Sequence, residues 1–199
     1  MNWVGLDPEA NSLCGTGTRQ SPTDLENDEV EVIEGSSVTI DIPDMLDGPT
    51  LRNIGSTIEV PAEGGTLSFD GQEFDFKQFH FHLPSEHFYD GSSRAMEMHM
   101  VFEGGEGQIV FVAAFIEVGR SGGGAMAAMA ANVSNDDQHA ADSDSNLGSD
   151  IARRQVTAPV LETVFGVSVG VAQPGSQVRM PGLVMSDLVD AITAGQFHT

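Results

Sequence analysis

The stretch Phe76-Lys77-Gln78-Phe79-His80-Phe81-His82-Leu83-Pro84-Ser85-Glu86-His87, returning as Ala95-Met96-Glu97-Met98-His99-Met100-Val101-Phe102, holds four of the six histidines. Successive side chains of a strand point to opposite faces, so Gln78, His80 and His82 share one face while Phe79 and Phe81 face a core. Pro84, Asp90 and Gly91 impose a turn. On the return, Glu97, His99 and Val101 again share a face, which can lie against the first strand. Two imidazoles about 7 Å apart along a strand, with a third delivered from the neighbouring strand, suit a single metal ion. Three neutral imidazoles with no fourth protein ligand describe an open zinc site, and a chain with one cysteine, Cys14, cannot close a thiolate site. The plain alternative is three unrelated histidines satisfied by hydrogen bonds. Gln78 and Glu97 count against it: on the histidine face of two otherwise apolar strands each costs ~1–3 kcal/mol unless it finds partners. Ring N–H groups of metal ligands are the natural ones.

Working outward, the same period-2 alternation predicts strands at Val38–Ile42, Ser56–Val60, Gly65–Phe69 and Phe74–His82. Met96–Phe102 and Gln108–Val118 are rich in Val, Phe and Ile and bounded by Gly. Short strands between Gly, Pro and Asp turns predict a mainly β fold with a largely antiparallel sheet and a few short helices. The rest of residues 1–50 reads as loop. Residues 120–155 are small, polar and acidic without a periodic apolar face, which predicts a flexible insertion with at most a helical turn over Ala125–Ala131. Thr157 and Pro159 mark the start of a helix running to Phe165, Gln177–Pro181 reads as a strand, and Ser186–Ile192 as a turn of helix.

The 199 residues make one domain, with 30 acidic against 8 basic side chains and a net charge of -22. The only lysine is Lys77. Nucleic acid, bound by clustered Lys and Arg, is therefore excluded as a partner, and anionic membrane surfaces are disfavoured for the same reason. No apolar run approaches the ~18 residues of a membrane span, and the N-terminal segment shows no signal peptide.

Gln78-Phe79-His80-Phe81-His82, Pro84-Ser85-Glu86-His87, Asp90-Gly91 and Glu97-Met98-His99-Met100-Val101 closely resemble the α-carbonic anhydrases in order and spacing. The resemblance extends to Gly15–Pro22, with its Gln20-Ser21-Pro22, to Asn53-Ile54-Gly55, to Ile109–Gly119, and beyond the insertion to Ala158–Phe165 and Val178–Leu188. It implies a central twisted sheet and reversible hydration of CO2 to bicarbonate and a proton by a zinc-bound hydroxide. It implies Zn2+ held by His80, His82 and His99, with Gln78 and Glu97 orienting two of the rings. Glu86 would orient a hydroxyl gate, and Val101 would line the CO2 pocket. By the same resemblance the protein is expected to be secreted or extracellular.

Several positions depart from the family. Ser56 stands where many members carry a proton-shuttle histidine, so proton export should fall to buffer. Phe111 takes the place of a smaller aliphatic residue in the CO2 pocket. The family's Thr-Thr-Pro-Pro gate loop, and the strands around it, would follow Ala191–Phe197, which leads to the expectation of an incomplete or degenerate chain. In many members a cysteine at the position of Cys14 pairs with one beyond that loop. Asn132-Val133-Ser134 is a glycosylation sequon, and His139 lies in the acidic insertion as a solvated loop residue. Two other readings stand beside the enzyme: an inactive carbonic anhydrase-related binding module, and a cupin-type metal enzyme. His80-x-His82-x3-Glu86 partly resembles the cupins' first metal motif, in which the glutamate is a ligand, but nothing after Pro174-Gly175 supplies their later histidine.

Overall fold

The structure, a computed structural model, describes residues 3–18, 21–26, 31–118, 127–130, 159–194 and 196–198. Nine strands form the main sheet: β1 (Thr39–Asp41), β2 (Thr50–Asn53), β3 (Ile58–Pro61), β4 (Thr66–Phe69), β5 (Gln72–His82), β6 (Met96–Gly104), β7 (Ile109–Val118), β8 (Ala127–Ala130) and β9 (Gln177–Arg179). They run in the order β8-β7-β6-β5-β3-β2-β9, with β4 pairing both β5 and β1. Every pairing in this sheet is antiparallel. Two helices, α1 (Pro159–Val167) and α2 (Met185–Thr193), bury Val160, Leu161, Val164, Met185, Leu188 and Ile192 in the core beside the sheet. The mainly β, largely antiparallel architecture is the one expected, and among the described residues no helix is long and apolar enough to cross a membrane.

The core on one face of β5 and β6 is Phe74, Phe76, Phe79 and Phe81 against Met98, Met100 and Phe102. Each fully buried side chain of this size contributes about 1.5–3 kcal/mol. The simple alternation expected over Phe74–His82 does not run unbroken, because buried positions change parity between Phe76 and Phe79. The register explains it: Val101 pairs with Gln78 but the next residue, Phe102, pairs with Phe76, leaving Lys77 as an extra residue on β5. This is a β-bulge, and it keeps four phenylalanines on the core side while turning Gln78, His80 and His82 to the other face.

Three further expectations change. Ala127–Ala130 is a strand paired with β7, not a helical turn, so the neighbouring sheet edge overrides the alanines' weak preference. The segment 1–50 holds more than one strand, with Trp3–Leu6 and Leu13–Thr16 as single helical turns, Asp24–Leu25 pairing Phe88–Tyr89, and Val32–Glu34 pairing Gln196–His198. The last helix extends one residue either side of Ser186–Ile192. Outside the described residues lie the rest of the 120–155 insertion, the sequon at Asn132, His139, and Thr157 with its neighbour Ala158.

Candidate metal centre

Three imidazoles meet on the face of the sheet opposite the phenylalanine core. His80 and His99 are direct cross-strand partners, and His82 lies across from Glu97. Ring centroids are separated by 4.9 Å for His80–His82, 5.1 Å for His80–His99 and 4.7 Å for His82–His99. One nitrogen from each ring falls within 4.8 Å of the other two. The remaining nitrogens face groups of the chain itself. His80 Nδ1 lies 2.9 Å from Gln78 Oε1, and His82 Nδ1 lies 3.2 Å from Glu86 Oε1. His99 Nε2 lies 3.0 Å from Glu97 Oε1, at an angle too bent for an aligned hydrogen bond. By elimination, His80 Nε2, His82 Nε2 and His99 Nδ1 are left for a metal. His82 Nε2 is buried with no hydrogen-bond partner, a cost that a metal ion bound there removes.

Glu97 is the hub beneath these rings and is almost wholly buried, at 1% exposure. Its Oε1 accepts from His87 Nδ1 at 2.7 Å, and its Oε2 from the backbone N–H groups of Glu86 and His87, each at 2.9 Å. Burial alone would push the Glu97 carboxyl up, but the hydrogen bond from His87, the close approach of His99 and the backbone N–H of His87 outweigh it and hold the group well below the usual carboxylate range. The same bond from Glu97 raises His87 above the ordinary imidazole value. Burial lowers His80 to about 4, helped by the neighbouring His99 and His82, and burial likewise lowers His82 against the opposing pull of Glu86. Both rings are thus neutral at pH 7, the form that ligates metal.

Gln78 stands against His80 and Glu97 against His99. Val101 is half-buried on the histidine face, and across from it on β7 Phe111 is 56% exposed, with its ring centroid 6.1 Å from that of His99. Ser56 lies in an exposed turn between β2 and β3, and Cys14 is exposed. Two residues escaped the sequence reading. His87 was part of the motif, but its bond to Glu97 closes only when the turn folds back over β6. Glu59 pairs with His80 across β3 and β5, and cross-strand partners project to the same face.

A family profile described as eukaryotic-type carbonic anhydrase matches residues 2–146. The chain belongs to this family. Alpha carbonic anhydrase 7 of Arabidopsis thaliana is 35% identical over 121 residues, which are 60% of this chain and 43% of that protein. The carbonic anhydrase of Neisseria gonorrhoeae is 35% identical over 127 residues, 61% of this chain and 47% of that one. The chain therefore spans less than half the length of these curated relatives. In fold, the α-carbonic anhydrase of Aspergillus oryzae superposes with a TM-score of 0.72 at 24% identity, covering 95% of this chain and 65% of that protein.

Proposed function

We propose that the chain binds one Zn2+ through His80, His82 and His99 and with it hydrates CO2 reversibly to bicarbonate and a proton. The observation that carries this reading is the convergence of three imidazole nitrogens within 4.8 Å of one another, with His82 Nε2 buried and unpartnered. When bound, Zn2+ supplies Lewis acidity that lowers the pKa of its water, a role for which carbonic anhydrase is itself the standard example. The chain's own residues prepare the site. Gln78 accepts from His80 Nδ1–H and so keeps its Nε2 lone pair free. Glu97 Oε1, 3.0 Å from His99 Nε2, is placed to do the same for His99, and its ionised carboxylate puts one negative charge behind the cation. Val101 and Phe111 offer apolar surface beside the rings, where CO2 is held without competing hydrogen bonds. Ser56 has no group that titrates near neutrality, so the product proton leaves to buffer.

Zinc titration combined with stopped-flow CO2 hydration tests the proposal. One equivalent of Zn2+ and hydration abolished by His99→Ala are expected, with a rate that rises with imidazole buffer. Stoichiometric zinc without hydration would instead support a zinc-binding module, a reading that the bulk of Phe111 beside His99 favours.

A further inference from the structure

One line of cross-strand partners runs through the metal centre and continues past it. His99 pairs with His80, His80 with Glu59, Glu59 with Arg52 and Arg52 with Gln177. Partners in register project to the same face, so Arg52 and Gln177 share the face of the histidines. One residue along, Met100, Phe79, Val60 and Leu51 are all buried in the core. Arg52 stands two strand spacings, about 10 Å, from His80. Of the basic side chains among the described residues, Lys77 is held by Asp75 at 3.2 Å and Glu103 at 3.9 Å, Arg179 donates to Asp47 O, and Arg94 lies over the Tyr89 ring. The exposed Arg52 guanidinium makes no hydrogen bond or ion pair among the described residues, and neither does the Gln177 side-chain amide.

These two side chains line a cleft of about 230 Å³ whose floor is Asn53 and the turn at Gly175 and Ser176. The floor is already paired within the chain. Asn53 Nδ2 donates to Val171 O at 2.8 Å, Asn53 Oδ1 accepts from Gly55 N–H at 2.8 Å, and Gly175 N–H donates to Asn53 O at 2.8 Å. Asn53 N–H donates to Ser176 O at 2.9 Å and Ser176 Oγ to Gln173 O. A ligand therefore meets a fixed wall with a guanidinium and an amide as its donors. A planar guanidinium fork suits a planar O–C–O anion, the group shared by bicarbonate and small carboxylates. With 30 acidic side chains against 8 basic, most of the surface repels such an anion, so an unpaired cation on the metal face is where one collects. Glu59 is the group that competes for the guanidinium, and no ion pair joins the two.

We propose that Arg52 and Gln177 form a bicarbonate site beside the metal centre, which the anion occupies on leaving and, in the reverse direction, on arrival. The choice of anion rests on the hydration reading above, whereas the site itself needs no metal. The test titrates metal-free full chain with isotope-labelled bicarbonate at low ionic strength, followed by carbon NMR, with acetate as competitor. Arg52→Gln should weaken bicarbonate binding up to about five-fold, the scale of one exposed ion pair, with Arg52→Glu weaker still, Gln177→Leu intermediate and all melting temperatures unchanged. In the Zn2+-loaded chain Arg52→Gln should raise KM for bicarbonate by the same factor and leave KM for neutral CO2 alone, a difference that disappears at high salt. No bicarbonate binding by the metal-free wild type overturns the proposal, as does equal binding by wild type and Arg52→Glu or an equal rise in both KM values. Acetate binding that depends on Arg52 while bicarbonate binding does not assigns the cleft to carboxylates and also overturns it. A Zn2+-loaded chain that fails to hydrate CO2, yet binds bicarbonate through Arg52 when metal-free, refutes the hydration reading and still supports the site.

Discussion

Replacing Glu97 by glutamine should separate folding from metal binding. The carboxylate accepts from His87 Nδ1 and from the N–H groups of Glu86 and His87, with His99 Nε2 3.0 Å from its Oε1. Glutamine is isosteric, but it has one acceptor oxygen and one NH2 group. With the oxygen toward the two backbone amides, the NH2 group confronts His87 Nδ1, a donor to Glu97, and His99 Nε2, which must carry the ring proton if Nδ1 is to face the metal. The arrangement is satisfied only if both rings shift their proton to the other nitrogen. For His99 that shift places a proton on Nδ1, the nitrogen left for the metal, so the side chain that rescues the hydrogen bonds blocks the ligand. Exchanging charge-assisted bonds for neutral ones costs about 1 kcal/mol each, or about 2–4 kcal/mol over the cluster. The loss of a preset His99 tautomer adds at least the 10- to 100-fold drop in affinity typical of removing such a partner. Urea unfolding of metal-free protein gives the first quantity and chelator competition with Zn2+ the second. A Glu97→Gln chain that binds Zn2+ as tightly as wild type would refute the reasoning, since it would show that the tautomer of His99 is not set by residue 97.

The metal-free chain should be most stable near the ordinary imidazole pKa of ~6.5. His80 and His82, whose values are lowered by burial, lose stability as pH falls below that point, for His80 down to about 4. His87, raised by Glu97, contributes stability that is full below the unfolded value and lost as pH rises through the folded one. Glu97 contributes above the usual carboxylate pKa and loses it only as pH falls through its lowered value, well on the acid side. Urea midpoints from pH 4 to 9 should trace this maximum, and His87→Gln should flatten its alkaline side; a midpoint still climbing at pH 8.5 would contradict it. Phe111→Val should raise kcat/KM for hydration several-fold with Zn2+ affinity unchanged, and an unchanged kcat/KM would remove Phe111 from the substrate wall. Ser56→His should make hydration less dependent on imidazole buffer; identical buffer curves would show that this turn lies too far from the reacting centre.

The sheet and the metal ligands were legible because both depend on strand periodicity, a local property. Val38–Ile42 and Ser56–Val60 alternate clearly in sequence, Phe74–His82 alternates on either side of Lys77, and His-x-His on one strand with Glu-x-His on the next fixes three rings on a common face once the strands pair. What was missed depends on pairing itself. The extra residue at Lys77 shows only in the register against β6, and Ala127–Ala130 carries no residue with a strand preference and is ordered by its neighbour. The bond of Glu97 to His87 spans ten residues through a turn, and no periodicity encodes it.

The bulge at Lys77 divides one continuous strand into two segments with separate tasks. Phe74 and Phe76, upstream, pair with β4 and with Phe102–Gly104 at the far end of β6, whereas the residues from Gln78 onward pair with β3 and with Glu97–Val101 and carry two of the three rings. Substitutions in the upstream segment can accumulate without turning the histidines, but gain or loss of a single residue between 76 and 78 reverses their face outright. Over evolutionary time, then, the strand tolerates changes of side chain far better than changes of length at this point. The spacing from Phe76 to His80 is therefore a more stringent signature of a working site than the identity of any aromatic around it.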